Sequence, residues 1–420
     1  MTVVETSQPS VVKVPFTPTL EMCVFRSFDD IDLTCEVWDD FVQSVQSDLY
    51  SSYHWCRTWW DHYGAGRELR ILVFRSGHSL AGIIPLLIDN TGFGPGRIRL
   101  AKPLGTDSTT AFWTPALKLD HADTIVARTI EYIIDEEHCD AINFGPMPVR
   151  NRVIDALRRA ESNLADLAEI IRDEPGMSLI TFRLPADFDG YLSGLSKKQR
   201  TTILQEMRRL KRDCGLETRV IKKPGKIEAA YEAFVELHGR QWRAQGKLGH
   251  FGDWPGAEMF NLDLIQKLAG ENRARIIELR ADGELVSSQI VLRFGNQDHW
   301  RLPARSPDSC WEKYSLGRVG LAKIIEIAIN DDVRSIEAGT GHYEYKIRMG
   351  GEENTLHSIM FAARKRHSQR RVKWFIRGAA FLHRWYYRVW FCRIAPPMSR
   401  MSRMPRMQGP LWKVWRHSRL

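Results

Sequence analysis

The order of secondary-structure elements repeats along this chain, and the repetition strongly limits the folds available to it. In each half, two helical patterns precede a strand, a tight turn and a second strand, and then a helix leads to a strand that ends at glycine. At an offset of 205 residues, Arg70 aligns with Arg275 and Leu80 with Leu285. The turn at Asp282 and Gly283 is a strong hairpin signal. A duplicated α/β unit explains this pattern better than two unrelated hairpins of similar spacing.

Apolar periodicity and turn residues give the approximate bounds of the elements. The predicted helices are 37–46, 55–63, 122–134, 197–213, 227–244, 256–268 and 318–329. The predicted strands are 70–75, 80–88, 141–144, 177–184, 275–280, 285–294, 299–303 and 333–338. This α/β (α+β) content, in a chain of 420 residues, favours two domains over one. The predicted divisions are a flexible leader at 1–20, domains at 21–185 and 186–365, a basic amphipathic helix at 366–395 and a disordered basic tail at 396–420.

The seven cysteines are scattered and never form a CxxC pair. This pattern favours a reducing compartment and disfavours a structural zinc site. No segment approaches the roughly 20 apolar residues of a transmembrane helix, and the first residues lack the apolar run of a signal peptide. We therefore predict a cytoplasmic protein without a metal.

Basic charge is concentrated near the end of the chain. Residues 355–420 carry sixteen Lys and Arg and no Asp or Glu, whereas residues 1–354 carry 44 basic and 51 acidic side chains. A polyanionic partner would therefore meet the tail rather than the mildly acidic body.

The predicted helix in this region has two different faces. Its basic stripe is Arg370, Lys373, Arg377, Arg384 and Arg388, and its apolar stripe is Phe375, Ala379, Leu382, Tyr386 and Val389. Such a helix is typical of an anionic membrane interface, and tryptophans flank it. We predict peripheral attachment to the inner face of the plasma membrane through residues 370–392. The alternatives are docking on the body of the protein and, less expected, binding of nucleic acid.

The segment 314–351 places two glycine-bearing turns around one helix and one strand. Gly317 comes just before an apolar helix, whose first N–H groups and dipole form a site for an anion such as phosphate. Gly339 and Gly341 come shortly before Tyr345 and Lys346, so a second charge can be held nearby.

Four segments in the second half resemble a known family. They are LSKKQR (195–200), LHGRQWRAQGKLGHFGD (237–253), YSLGRVGLAKIIE (314–326) and GTGHYEYK (339–346). In this order they resemble the CelD-type or BioF2-like acetyltransferases of the GNAT superfamily, relatives of the Fem-type aminoacyl transferases. The resemblance covers about residues 180–365. It departs at Leu316, where the family pattern Ser-Pro-Gly has proline, so the turn before the helix is less preorganised.

The resemblance implies duplicated GNAT-like domains with mixed central sheets flanked by helices, acyl-CoA (acetyl-CoA) as donor, and an amine acceptor in a cleft between the halves. Lys346 would stabilise charge during transfer. Glu344, Glu337 and His238 are candidate bases or acceptor anchors, and Trp242 and Arg200 are candidate substrate contacts. The candidate donor-binding residues are Ser315, Gly317, Arg318, Gly339, Gly341 and Tyr345.

The family implies an N-acyltransferase acting on a small-molecule or glycan-precursor amine, as in a polysaccharide or cell-envelope precursor. Two alternatives stay open. A non-catalytic scaffold at the membrane is suggested by Leu316 and by the lack of an obvious base. A Fem-type transferase would take its aminoacyl group from tRNA, with the basic helix at 197–211 as the RNA contact.

Overall fold

The computed structural model describes residues 20–92, 94–106, 112–149, 151–247, 249–253, 256–394 and 397. The predicted leader, apart from Leu20, and nearly all of the predicted basic tail lie outside the described residues.

Each half contains helices followed by an antiparallel hairpin and then a helix and a strand, as the sequence predicts. The strands are β1 (Leu20–Phe25), β2 (Glu68–Ser76), β3 (Ser79–Thr91), β4 (Ile98–Pro103), β5 (Ala116–Leu117), β6 (Ala141–Pro148), β7 (Ala168–Arg183), β8 (Glu217–Ile221), β9 (Ala274–Ala281), β10 (Glu284–Phe294), β11 (Gln297–Arg305), β12 (Ser335–Thr340) and β13 (Glu352–Ala363). The helices are α1 (Cys35–Ser44), α2 (Tyr53–Tyr63), α3 (Ala122–Glu131), α4 (Val153–Asn163), α5 (Phe188–Ser193), α6 (Lys197–Cys214), α7 (Pro224–Ala244), α8 (Gly249–Asp253), α9 (Ala257–Gly270), α10 (Leu316–Asn330), α11 (Glu344–Arg348) and α12 (Arg366–Trp385).

All the strands belong to one mixed 13-stranded sheet. Its order is β1-β2-β3-β4-β6-β13-β7-β12-β11-β10-β9-β8, with β5 beside β3. The order is symmetric about the β13–β7 pair, so β1, β2, β3, β4 and β6 correspond to β8, β9, β10, β11 and β12. In each half a single parallel pair, β4 with β6 and β11 with β12, follows the antiparallel hairpin. The predicted duplicated fold with helices flanking mixed strands is confirmed.

The two halves exchange their last strands at the centre of the sheet. β13 comes from the second half of the sequence but pairs with β6, while β7 comes from the first half but pairs with β12. The two exchanged strands also pair with each other over most of their length. Hydrogen bonding is therefore continuous from one half to the other.

The long central strands depart most from the sequence prediction. β13 was not predicted, and β7 begins nine residues before the predicted strand 177–184. The early part of β7, AEIIRDEPG, is acidic and contains Pro175 and Gly176, which indicate a loop in an isolated sequence. Pro175 is tolerated because the register with β13 shifts beside it.

Equivalent buried arginines make equivalent ion pairs in the two halves. Arg70 on β2 donates from Nε to Glu137 Oε1 at 2.6 Å, in the segment between α3 and β6. Arg275 on β9 donates from Nη1 to Asp331 Oδ2 at 2.6 Å, in the segment between α10 and β12. Both guanidinium groups are nearly inaccessible to solvent. The alignment of Arg70 with Arg275 thus reflects a shared structural role.

Arg275→Met is expected to lower the free energy of unfolding by about 3–5 kcal/mol, because Asp298, which is fully buried and also paired with Arg275, would lose a main partner. Chemical denaturation followed by circular dichroism measures the effect. Arg219→Met is the matched control, since Arg219 is 52% exposed and pairs at the surface with Glu217, so its loss should cost less than about 1 kcal/mol. An equal decrease in the free energy of unfolding of the two variants would contradict a structural role for the buried Arg275 ion pairs.

Helix α12 packs on the face of the sheet formed by the first half. Val372, Phe375 and Ala379 are buried against Ile98, Met360 and neighbouring apolar residues. Arg371 Nη2 and Ser368 Oγ both donate to Asp140 Oδ1, at 2.5 and 2.6 Å. Most of the predicted apolar stripe therefore docks on the body of the protein, which is one of the alternatives open at the sequence level. None of the helices in the described residues is long and apolar enough to cross a bilayer.

Candidate active site

The parallel strands β11 and β12 separate shortly after they meet. They pair only at Gln297, Asp298 and His299 of β11, opposite Ser335, Ile336 and Glu337 of β12. Beyond this point β11 continues to pair with β10, and no strand of the described residues pairs with its other side. The gap between the separating strands opens a cavity in the second half.

An irregularity in β11 lies at the point of separation. Ile290 pairs with Leu302 and Val291 with Trp300, so Arg301 is an additional residue on β11. A bulge of this kind leaves one residue out of the ladder and turns the strand. Pro303, two residues further on, is tolerated because β11 no longer needs an N–H donor on its free side. The sequence WRLPAR thereby exposes backbone groups of β11 to the cavity.

Helix α10 begins at the other side of this cavity. Ser315 adopts a left-handed conformation with φ of 52°, and its carbonyl accepts from the N–H groups of Arg318 and Val319. The N–H groups of Leu316 and Gly317 open the helix and have no intrahelical acceptor. Leu316, which stands where the family pattern has proline, packs its side chain into a small apolar core and is 3% exposed. The turn is therefore made by Ser315, while Gly317 lies in the first turn of the helix.

Two arginines flank this helix start. Arg305 on β11 lies close to Gly317: its Nη1 atom is 3.5 Å from the position that a Cβ atom on Gly317 would occupy. Arg318 is engaged by the Glu206 carboxylate and donates to Ser315 Oγ at 2.9 Å. The charge of Arg318 is thus balanced within the protein, whereas that of Arg305 is available to an anion at the helix start. Glu312 is a carboxylate that also lines the cavity.

The cavity encloses about 1570 Å³ and extends from α10 to α12, with walls from both halves of the chain. Eight predicted site residues line it: Trp242, Ser315, Gly317, Arg318, Glu337, Gly339, Tyr345 and Lys346. The first half contributes Tyr50, Phe112 and Pro146, among others. A site between the halves is what the sequence resemblance implies.

Lys346 is a buried cation in this cavity. It lies on α11, rather than at a strand end, and is 8% exposed. Its Nζ donates to the Ala338 carbonyl at 2.6 Å and lies 4.8 and 4.4 Å from the ring centroids of Trp300 and Tyr343. Burial lowers the pKa of Lys346 to about 8, although the nearby Glu337 charge opposes this effect. The ammonium group is therefore close to its titration point at neutral pH.

Glu337 is the carboxylate at the point where β11 and β12 separate. Tyr50 donates its hydroxyl to Glu337 Oε2 at 2.8 Å, and His299 Nδ1 lies 3.3 Å from the same oxygen. The Gly339 N–H donates to Oε1. Burial alone would raise the pKa of Glu337, but the bonds and charge of His299, with the bonds from Tyr50 and Gly339, hold it below its usual value. Glu337 is thus an ionised carboxylate in a buried network.

Glycine is needed next to this network. Gly339 and Gly341 have φ of +82° and +113°, a region that other residues rarely adopt. The Gly341 N–H donates to the Ser178 carbonyl on β7 at 2.7 Å. The predicted GxG segment therefore turns the chain from β12 into α11 and brings Lys346 back over the end of β12.

Four predicted residues do not line the cavity. Gly341 forms part of the turn between β12 and α11. Glu344 is 59% exposed on the solvent side of α11, where it pairs with Arg348 at 2.9 Å. Arg200 lies in the first turn of α6. His238 is 1% exposed on α7 and lies behind the cavity-lining Trp242.

The environment of His238 suits a structural role better than that of a base. Trp242 Nε1 donates to His238 Nε2 at 2.8 Å, and His250 Nδ1 lies 3.1 Å from the same nitrogen. Burial, with a smaller effect of His250, lowers the pKa of His238 to about 3. His238 is therefore neutral at physiological pH, and its bonded nitrogen supports the cavity wall through Trp242 and His250.

Sequence reasoning missed Tyr50, His299 and Arg301. Tyr50 lies in a short turn before α2, 287 residues from Glu337, and nothing in its local sequence distinguishes it. A signal did exist for the other two, because His299 and Arg301 are polar residues within the predicted strand 299–303. Arg301 Nε has no hydrogen-bond partner among the described residues, and its guanidinium lies 5.2 Å from the Trp55 ring centroid.

A second polar cluster lies away from the cavity lining. The ligand-type atoms of Cys35, His54 and Glu271 lie within 4.8 Å of one another. His54 Nε2 and Glu271 Oε1 are 2.6 Å apart, and Glu271 Oε2 accepts from Arg273 at 2.8 Å. An ion-pair network between the two halves accounts for these contacts.

Comparison with known proteins supports the assignment of the fold. Residues 197–347 match the family model described as an acetyltransferase (GNAT) domain. The crystal structure of FemX is 11% identical over 79% of this chain and 96% of its own, with a TM-score of 0.58. Two further structures are similar at lower TM-scores. L-PGS from Bacillus licheniformis is 11% identical over 78% of this chain and 91% of its own, with a TM-score of 0.48. A tandem GNAT protein from the clavulanic acid biosynthesis pathway is 11% identical over 82% of this chain and 98% of its own, with a TM-score of 0.43. Comparison with curated proteins gave no match.

The likeness to FemX concerns the fold alone. The acetyltransferase (GNAT) model matches residues 197–347, within the second half of this chain, and FemX shares the overall fold. The particular CelD-type or BioF2-like subfamily stays a prediction.

Proposed function

We propose that this protein transfers an acyl group from acyl-CoA to an amine in the cavity between its halves. The observation that carries the proposal is the position of the buried Lys346 cation, between the start of α10 and the Glu337–Tyr50 network. An acyl-CoA thioester supplies an activated acyl group. The residues of the chain then have to hold its phosphates, stabilise negative charge and remove a proton from the amine.

The residues at the start of α10 fit the phosphates of such a donor. Gly317, in the first turn of α10, and Arg305 line the cavity together, and Arg305 Nη1 lies close to Gly317. Helix N-termini and arginines are the usual protein partners of phosphate. No metal ligand is required for this arrangement.

The Glu337 network offers a path for the amine proton. Tyr50 is neutral, because burial and the Glu337 charge raise the pKa of its hydroxyl well above the usual value. The amine nitrogen forms a bond to the thioester carbonyl carbon, and the C–S bond then breaks to give the amide and the CoA thiolate. The oxygen of Tyr50 can accept the proton of the attacking amine while its own proton passes to Glu337 Oε2, from which the proton can return through Tyr50 to the departing thiolate. Lys346, as a cation, stabilises negative charge that develops in the same cavity. This assignment replaces Glu344 and His238 by Tyr50 and Glu337 as the proton-accepting groups.

Titration of acetyl-CoA into the protein by calorimetry tests the donor class. Arg305→Gln should weaken binding about tenfold, because a hydrogen bond to a charged group contributes about 1.5–3 kcal/mol. Arg183→Gln, at a 72% exposed arginine outside the cavity lining, is the control and should bind as the wild type does. An unchanged affinity of Arg305→Gln for acetyl-CoA would contradict a phosphate site at Arg305.

The two alternatives give different outcomes in the same experiment. A scaffold protein would bind neither acetyl-CoA nor longer acyl-CoAs. A transferase that uses aminoacyl-tRNA would bind the charged tRNA in a strongly salt-dependent manner, through the exposed lysines and arginines of α6. The acceptor amine of a polysaccharide or cell-envelope precursor rests on the sequence resemblance.

A further inference from the structure

Helix α12 presents an exposed line of aromatic side chains that the acyltransfer site does not use. Trp374, Phe381 and Trp385 are 71%, 64% and 38% exposed. Their spacings of seven and four residues place them on one line along the helix. Trp374 and Phe381 are also the two most exposed large hydrophobic side chains among the described residues. Such a concentration on one helix marks an interaction surface.

This aromatic line differs from the apolar stripe predicted from sequence. Phe375 and Ala379 of that stripe are buried against the sheet, and Asp140 anchors the start of the helix through Ser368 and Arg371. The aromatic line therefore projects from a helix that is fixed to the body.

The charged residues of α12 beside the aromatic line are basic. Arg370, Arg377 and Arg388 lie along one side of it, and all three are exposed. Residues 355–420 contain no acidic side chain, so no carboxylate of this segment repels an anionic partner.

We propose that the aromatic line of Trp374, Phe381 and Trp385 inserts into the interface of an anionic lipid bilayer, with the flanking arginines on the lipid headgroups. Indole and phenyl rings favour this interface, and basic residues near it gain attraction from anionic lipids. A convex helix surface suits a planar bilayer, whereas single-stranded nucleic acid is usually bound in a groove. A second copy would bring the same basic face against its own charge.

Membrane docking would also orient the cavity. Ile376, Ala380 and Arg384 of α12 line one end of it, largely on the side of the helix opposite the aromatic line, so α12 would lie between that end and the bilayer. The end formed by α10 and Arg305 would remain accessible to a donor in solution.

Sedimentation of the full chain with phosphatidylcholine vesicles, with and without phosphatidylglycerol, tests the proposal. The wild type should bind vesicles that contain phosphatidylglycerol. The triple variant Trp374→Ser, Phe381→Ser, Trp385→Ser should bind them at least about tenfold less well, because insertion scales with buried apolar area. The control triple variant Val37→Ser, Val149→Ser, Met259→Ser changes side chains of 46%, 47% and 61% exposure elsewhere and should bind as the wild type does.

Circular dichroism of both triple variants checks that each is folded, so that a loss of vesicle binding can be distinguished from unfolding. Equal vesicle binding by the aromatic variant and the wild type would overturn the proposal. So would a loss of RNA binding or of dimerisation in the aromatic variant while its vesicle binding is unchanged.

Discussion

Lys346→Met is expected to lower kcat for acyl transfer about 10²–10³-fold, the range found when one group that stabilises developing charge is removed. Methionine keeps the approximate length and volume of the side chain but removes the ammonium group, and with it the cation–π contacts with Trp300 and Tyr343. Because the cation acts on developing charge, the loss should appear in kcat more than in KM. Steady-state kinetics with acetyl-CoA measures both constants.

The pH profile of the wild type should identify the form of Lys346 that acts. With a pKa of about 8, the cation is present at lower pH and is lost as the pH rises through about 8. Activity that needs the cation therefore falls as the pH rises through this range, and the Lys346→Met variant should lack this decrease in its pH profile. Lys323→Met is the control, since Lys323 pairs with Glu326 on α10 and does not line the cavity. Activity that instead rises through pH 8 because of Lys346 would make it a base and contradict its role as a cation.

Lys346 also links stability to pH. Its pKa is lowered in the folded protein from the usual 10.5 to about 8, so between these values the unfolded chain binds more protons. The contribution of this residue to the free energy of unfolding therefore increases as the pH rises from about 8 to 10.5.

Tyr50→Phe is expected to lower kcat about 10²–10⁴-fold, the usual contribution of a positioned proton-transfer group. The change removes one hydroxyl and keeps the ring between Trp55 and Phe112. Glu337 still accepts from His299 and Gly339, so the network should fold. Kinetics across pH and thermal unfolding separate a loss of proton transfer from a loss of structure.

Tyr191→Phe provides a matched control for this change. Tyr191 is also buried, and its hydroxyl donates to the Met349 carbonyl at 2.8 Å outside the cavity lining. The two variants should lose similar stability, while only Tyr50→Phe loses activity. Equal kcat values for the two variants would exclude Tyr50 from the proton path.

The sequence predicts the fold wherever local patterns are sufficient. The hairpins β2–β3 and β9–β10 and helix α10 follow from periodicity and turn residues, and Arg70 and Arg275 occupy equivalent places as their alignment predicts. The exchange of β7 and β13 could not be predicted, because pairing between distant strands leaves little trace in a single sequence. The acidic start of β7 even favours a loop.

The residues of the candidate site also divide into those that a continuous sequence segment predicts and those that depend on packing between distant segments. Lys346, Gly317 and Glu337 belong to one continuous segment that resembles a family, so they could be found from sequence. Tyr50 belongs to the other half and reaches Glu337 only through packing between the halves. His238 has a side chain suited to catalysis, but burial on α7 gives it a structural role that its spacing with Trp242 does not reveal.

Acyl transfer to an amine can be measured as the release of free thiol from acetyl-CoA in the presence of a panel of amines, including amino sugars. We expect amine-dependent release by the wild type and a loss of at least about a hundredfold in Lys346→Met and Tyr50→Phe. Lys323→Met and Tyr191→Phe should retain the activity. Release at the same rate in all four variants, or acyl transfer from aminoacyl-tRNA with no consumption of acetyl-CoA, would contradict the proposed mechanism.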